Sequence, residues 1–174
     1  MKRYLAGVLT VIVLVVVIGF LAVWTGHVPA AADAPKASGL ERWAARRSLN
    51  TTIDREAPGA PYPFGPVTDA TIVAGAKGYI ANCAVCHGSA GSDESNIAKG
   101  LYVPAPQFTK RGVDDDPEGE TYWKIEHGIR FTGMPSFKDN LTEEQIWQIA
   151  YFLKHGTDKL PAEADAIWHQ PHGD

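Results

Sequence analysis

Two cysteines and a histidine sit together in "NCAVCHG", residues 82–88, and no other cysteine occurs in the chain. Such a trio can be a disulfide, part of a zinc site, a redox dithiol or a cofactor attachment site. A disulfide closing two intervening residues constrains little, because cross-link stabilisation grows with loop length. A structural zinc site needs four ligands, usually from a second Cys or His pair. A thioredoxin-type dithiol expects a βαβ setting, which the helical patterns of this chain do not offer. There remains C-x-x-C-H, formed by Cys83, Cys86 and His87, the attachment motif for a c-type haem. In it two thiols three residues apart add to the two vinyl groups of one porphyrin, and the adjacent imidazole reaches the iron. Shuffling this composition would produce the motif roughly once in 2,500 trials, so chance is a poor explanation.

With four iron positions taken by porphyrin and a fifth by His87, the sixth asks for another ligand. Electron-transfer cytochromes c commonly use methionine there, which raises the potential. The chain has two methionines, the initiator Met1 and Met134. Met134 lies in "TGMPSF", where Gly133 permits close backbone approach and Pro135 stiffens the loop. Among the histidines, His127 and His155 fall on or at the end of predicted helices, and His27, His169 and His172 in the linker or tail, which makes them weaker rivals.

The elements that must carry these groups read as all-α. "TDATIVAGAKGYIANCAVCHG" opens at an N-cap, Thr68 or Asp69, and sets Ile72, Gly75, Ala76, Tyr79 and Ile80 on one helical face. A glycine-containing loop follows, with "VPAPQF". A short helix in "EGETYWKIEHGI" ends near Gly128. The last predicted helix, "NLTEEQIWQIAYFLKHG", begins after the N-cap Thr142, carries an apolar face of Ile146, Ile149, Ala150 and Leu153, and stops at Gly156. Residues 161–174 read as a C-terminal tail.

Upstream lies a different kind of segment. Residues 5–24, "LAGVLTVIVLVVVIGFLAVW", contain no charge and no proline, matching the roughly 20 residues a helix needs to cross a bilayer. A signal peptide has a shorter apolar core, of about 7–15 residues, so residues 1–24 read as a retained anchor, with a cleaved signal peptide as the alternative. Lys2 and Arg3 keep its start in the cytoplasm and export everything after Trp24. The expected location is thus a bacterial cytoplasmic membrane, single-pass, with the haem domain in the periplasm or on the outer face. With Lys2 and Arg3 set aside, 14 basic residues face 20 acidic ones, about −6, and no basic cluster suggests nucleic acid. Residues 25–67 read as a linker, with Pro58, Pro61, Pro63 and Pro66 too closely spaced for a helix. Within it a short helix is expected near residues 39–50, where Ser38 and Glu41 have capping-box spacing. That helix either lies at the membrane surface through Trp43, Arg46 and Arg47, or docks on the globular part.

Taken together, "GAKGYIANCAVCHG", "APQF", "WKIEHGIRFTGMPSF" and "LTEEQIWQIAYFLK" resemble class I monohaem cytochromes c, and in particular the membrane-anchored bacterial type seen in cytochrome c subunits of terminal oxidases. The resemblance covers residues 68–160. It implies an all-α fold around one haem c, in which the first and last helices cross with Gly75 and Tyr79 against Trp147 and Tyr151. It implies thioethers from Cys83 and Cys86, iron ligation by His87 and Met134, and a proline carbonyl, from Pro104 or Pro106, that orients His87. Phe108, Ile129, Phe131 and Phe137 are expected as apolar wall, and Trp123, Lys110 and Arg111 as contacts to the propionates. With both axial positions filled by protein, the expected activity is outer-sphere electron transfer rather than catalysis by this chain alone. The expected partners are a quinol-oxidising complex, a haem-copper oxidase or a periplasmic dehydrogenase. Two other readings are a fixed subunit of such a complex, and a sensor or peroxidase in which Met134 dissociates.

Overall fold

The computed structural model describes residues 1–33, 37–59, 62–110, 112–113, 115–155 and 159–171. The expected helix stop Gly156, Arg111 and His172 lie outside the described residues. The chain divides into two units, Met1–Pro35 and Lys36–Asp174.

The first unit is one helix, α1 (Lys2–Trp24), and a short following turn. Twenty-three residues at 1.5 Å each give about 34 Å, enough to cross the roughly 30 Å of bilayer hydrocarbon. It is the one described helix long and apolar enough to do so, and it suits a membrane anchor.

The second unit holds α2 (Gly39–Glu56), α3 (Asp69–Asn82), α4 (Ala84–His87), α5 (Asn96–Lys99), α6 (Glu118–His127), α7 (Glu143–His155) and α8 (Ala162–Trp168). No strand forms among the described residues; the one bridge joins Ser89 to Ser92. Helices α3 and α7 form the largest packing interface, with α6 against α7 and α8 against α3. Both helix starts are capped reciprocally: Thr68 with Thr71 at α3, and Thr142 with Gln145 at α7.

The crossing of α3 and α7 is as expected, but its register is not. Gly75 meets the carbonyl of Gln148 and the Cβ of Phe152, and Tyr79 packs its ring on Phe152 at 5.4 Å. Trp147 and Tyr151 lie on the neighbouring stripe of α7. They turn instead to Tyr122, stacked on Trp147 at 4.5 Å, and to Tyr62, edge-on to Tyr151 at 5.4 Å. A Cβ at position 75 would fall 2.0 Å from the Gln148 carbonyl oxygen, a backbone atom that cannot swing aside. Gly75→Ala is therefore expected to push the two helices apart and to cost at least about 1–3 kcal/mol, read as a lowered denaturant midpoint.

Two segments are more ordered than their sequences suggest. The helix expected near residues 39–50 runs on to Glu56, where Ala57 becomes extended ahead of Pro58. Its far end docks: Ile53 is buried, and the Pro58 carbonyl comes so near Gly119 that a Cβ there would lie 1.9 Å away. Tyr62 follows, its N–H donating to the Tyr151 hydroxyl at 3.1 Å. Residues 37–59 and Tyr62 thus belong to the compact unit rather than to a free linker. At the other end, residues 161–171 are not a loose tail. Ala164, Ile167 and Trp168 of α8 are buried in the main core, and Trp168 packs on Tyr79 and Phe152.

Candidate haem site

At Cys83 α3 ends and α4 begins, the residue capping both. The N–H groups of Cys86 and His87 both donate to the Cys83 carbonyl at 3.0 Å, a tight turn that sets residues 83, 86 and 87 on one side. Neither cysteine is in a disulfide. Burial, helped by Cys86, pushes the Cys83 thiol up to about 12, so it stays protonated at neutral pH.

The ring of His87 is held on two sides. Its Nδ1 lies 2.9 Å from the Pro106 carbonyl oxygen, and Phe108 stacks on it at 4.6 Å with the planes 3° apart. A carbonyl only accepts, so Nδ1 carries the proton and Nε2 keeps its lone pair for a metal. Burial also lowers the His87 pKa, outweighing the opposing Pro106 bond and keeping the ring in the neutral form that ligation requires. Of the two candidate prolines, Pro106 supplies the carbonyl; Pro104 lies two residues away and is exposed.

The loop carrying Pro106 is itself pinned to the cysteine turn. The Phe108 N–H donates to the His87 carbonyl at 3.0 Å, and Gln107 Nε2 donates to the Cys86 carbonyl at 2.8 Å. The Ser95 hydroxyl donates to the Val85 carbonyl. Tyr79 adds a buried bond, its hydroxyl donating to the Gly88 carbonyl at 2.7 Å. The C-terminal segment completes the set: Ala90 N–H donates to the Trp168 carbonyl and Ser89 Oγ to the Gln170 carbonyl, both at 3.1 Å. Gln107, Ser95 and the α8 contacts escaped sequence reasoning. For α8 a signal was available, since Ala164, Ile167 and Trp168 have helical spacing behind Pro161.

Met134 belongs to a loop folded back on α6. The Ile129 N–H donates to the Met134 carbonyl at 3.1 Å, the Met134 N–H to Thr132 Oγ1 at 3.1 Å, and the Phe137 and Lys138 N–H groups to the Ile125 and Glu126 carbonyls at 3.2 Å each. Gly128 makes this return: its φ is +66°, and a Cβ there would meet the Pro135 carbonyl carbon at 2.5 Å. Gly128→Ala is expected to displace the Met134 loop while leaving α3 and α7 folded. The variant should keep its helical circular dichroism and lose any spectral feature due to Met134.

Half-buried Cys83, Phe108, Met134 and Phe137 all pack against the main core. Phe131, expected as apolar wall, has a left-handed backbone, φ +63°, and its side chain is 92% exposed. Trp123 is buried and stacked on His127 at 4.7 Å, on the helix against which α2 packs. Lys110 is exposed. Ile129 is partly buried, and its N–H fixes the Met134 loop. Of the rival histidines, His169 bonds through Nδ1 to the Asp165 carbonyl at 2.9 Å, and His27 through Nδ1 to Thr25 at 2.7 Å.

Among the described residues no three His, Cys, Asp or Glu side chains come together as a metal cage. The donor set present is two thiols and an imidazole with its Nε2 available on one helical turn, and one thioether on the loop that folds back on α6. That set fits a porphyrin-borne iron, which brings four of its own ligands.

Residues 70–153 match the sequence model of a family described as cytochrome c oxidase, cbb3-type, subunit III. The match is just under half of the chain and runs from α3 to near the end of α7. Among solved structures, a chain of the Kuenenia stuttgartiensis reducing HAO-like protein complex is similar at 24% identity and a TM-score of 0.45, over 56% of this chain and 47% of that one. The present chain thus aligns to about half the length of that relative. No curated protein matches it.

Proposed function

From the premise that this chain carries a monohaem cytochrome c domain, we propose that it is a membrane-tethered one-electron carrier. One observation carries the proposal: an imidazole held with Nε2 available lies on the same turn as two free thiols. In this reading Cys83 and Cys86 hold the haem as thioethers, His87 and Met134 take the axial positions, and α1 anchors the chain with the domain in the periplasm. Bound there, the haem supplies a one-electron couple. The chain fixes the ligands, excludes water through Phe108, Phe137 and the α3/α7 core, and leaves no axial position for substrate. Its partners are respiratory: a quinol-side donor, and a haem-copper oxidase or periplasmic dehydrogenase.

The docked linker shortens the tether. Only residues 25–38 separate α1 from α2, and a chain of that length spans at most about 50 Å. Electron exchange is therefore confined to partners close by in the same membrane, at the high effective concentration that tethering provides. The short reach also favours a second reading, a fixed subunit of a larger complex; constant stoichiometry on purification from native membranes would identify it.

Removing residues 1–33 is expected to leave the redox spectrum unchanged and to lower membrane-supported turnover at least about tenfold at micromolar protein. Unchanged turnover would sink the tether.

A further inference from the structure

The N-terminal half of α2 has a face that the fold does not use. Leu49 and Ile53 turn towards the domain, whereas Leu40, Trp43 and Arg47 follow one another at helical spacing on the opposite side. Leu40 is 73% and Trp43 64% exposed, and Arg46 and Arg47 are exposed beside them. The rest of the helix is held firmly. Ile53 is buried, the Pro58 carbonyl just beyond the helix closes on Gly119, and near the start Glu41 accepts a bond from the Tyr102 hydroxyl at 3.3 Å. The outward face therefore cannot rotate away without carrying the domain with it.

We infer that this face, Leu40, Trp43 and Arg47, with exposed Arg46 at its flank, rests on an anionic phospholipid surface and orients the domain on the membrane. The inference rests on α1 being a membrane anchor. Two observations choose lipid as the occupant. The chain between α1 and α2 is 14 residues, which keeps α2 within about 50 Å of the bilayer. In addition, two adjacent arginines flank an exposed tryptophan on an exported region of net negative charge. Tryptophan is favoured at the membrane interface, and arginines pair with anionic headgroups. Asp54, the acid on the same side, lies two turns beyond Arg47.

The test uses the full haem-loaded chain in nanodiscs of phosphatidylcholine alone or of phosphatidylcholine mixed with phosphatidylglycerol, with hydroxyl-radical labelling of Trp43 as readout. Labelling is expected to fall at least about fivefold in the phosphatidylglycerol discs only, and to return in R46Q/R47Q, each arginine being worth about fivefold. Equal labelling in both lipids, or protection that appears only when a redox partner protein is added, overturns the inference. A chain that fails to co-elute with nanodiscs would instead refute the anchor. Since all four residues are exposed, the variant should fold, and an unchanged haem spectrum checks this.

Discussion

A C83A/C86A protein is expected to carry no haem that survives denaturation, whereas the unaltered chain keeps one haem per polypeptide on a denaturing gel. The loss should be complete, because the chain has no other cysteine to form a thioether. In the proposed attachment each bond would form by addition of a thiol S–H across a vinyl C=C, consuming no oxidant or reductant. Either single variant should retain haem through one bond. Cys83, half-buried at the junction of α3 and α4, should be the more damaging site for folding, since it packs against the main core. Haem staining with intact mass measures the result directly.

Met134→Ala gives a different loss. Haem should remain attached, because the thioethers are untouched. The ferric protein should lose the band arising from Met-to-iron ligation and become high-spin or bind a substitute. With the thioether gone, the potential should fall by a substantial part of the roughly 0.8 V over which axial ligands tune haem. The loop is held by backbone bonds from Ile129, Phe137 and Lys138, none of which uses the Met134 side chain, so the variant should keep its fold. Optical and magnetic spectra of the ferric protein distinguish this outcome from general unfolding.

The parts of the site legible in the sequence were those fixed by short spacing or by elimination. Cys83, Cys86 and His87 fall within five residues, and Met134 is the lone methionine after the initiator. The α3/α7 pair was legible because each helix has its own cap and apolar face. What escaped depends on tertiary register. A one-residue rotation of α7 decides whether Gly75 meets Trp147 or Gln148. Pro104 and Pro106 are equivalent as letters, and only the loop path, tied by Gln107 and Phe108 to the cysteine turn, chooses Pro106. Phe131 looks like core by composition, but its left-handed backbone turns it outward. The docking of α2 depends on Ile53, buried beyond the stretch whose cap announced the helix, and on the approach of Pro58 to Gly119, a tertiary contact. Helix α8 is seven residues long and is stabilised by burying Trp168 rather than by any propensity of its own.

A spectroelectrochemical titration of the full-length, membrane-embedded protein tests the central claim most directly. The account predicts a single one-electron transition between two low-spin states, with the Met-to-iron band present in the ferric form at neutral pH. A ferric protein that is high-spin at neutral pH, or one whose spectrum is that of two histidine ligands, would contradict it.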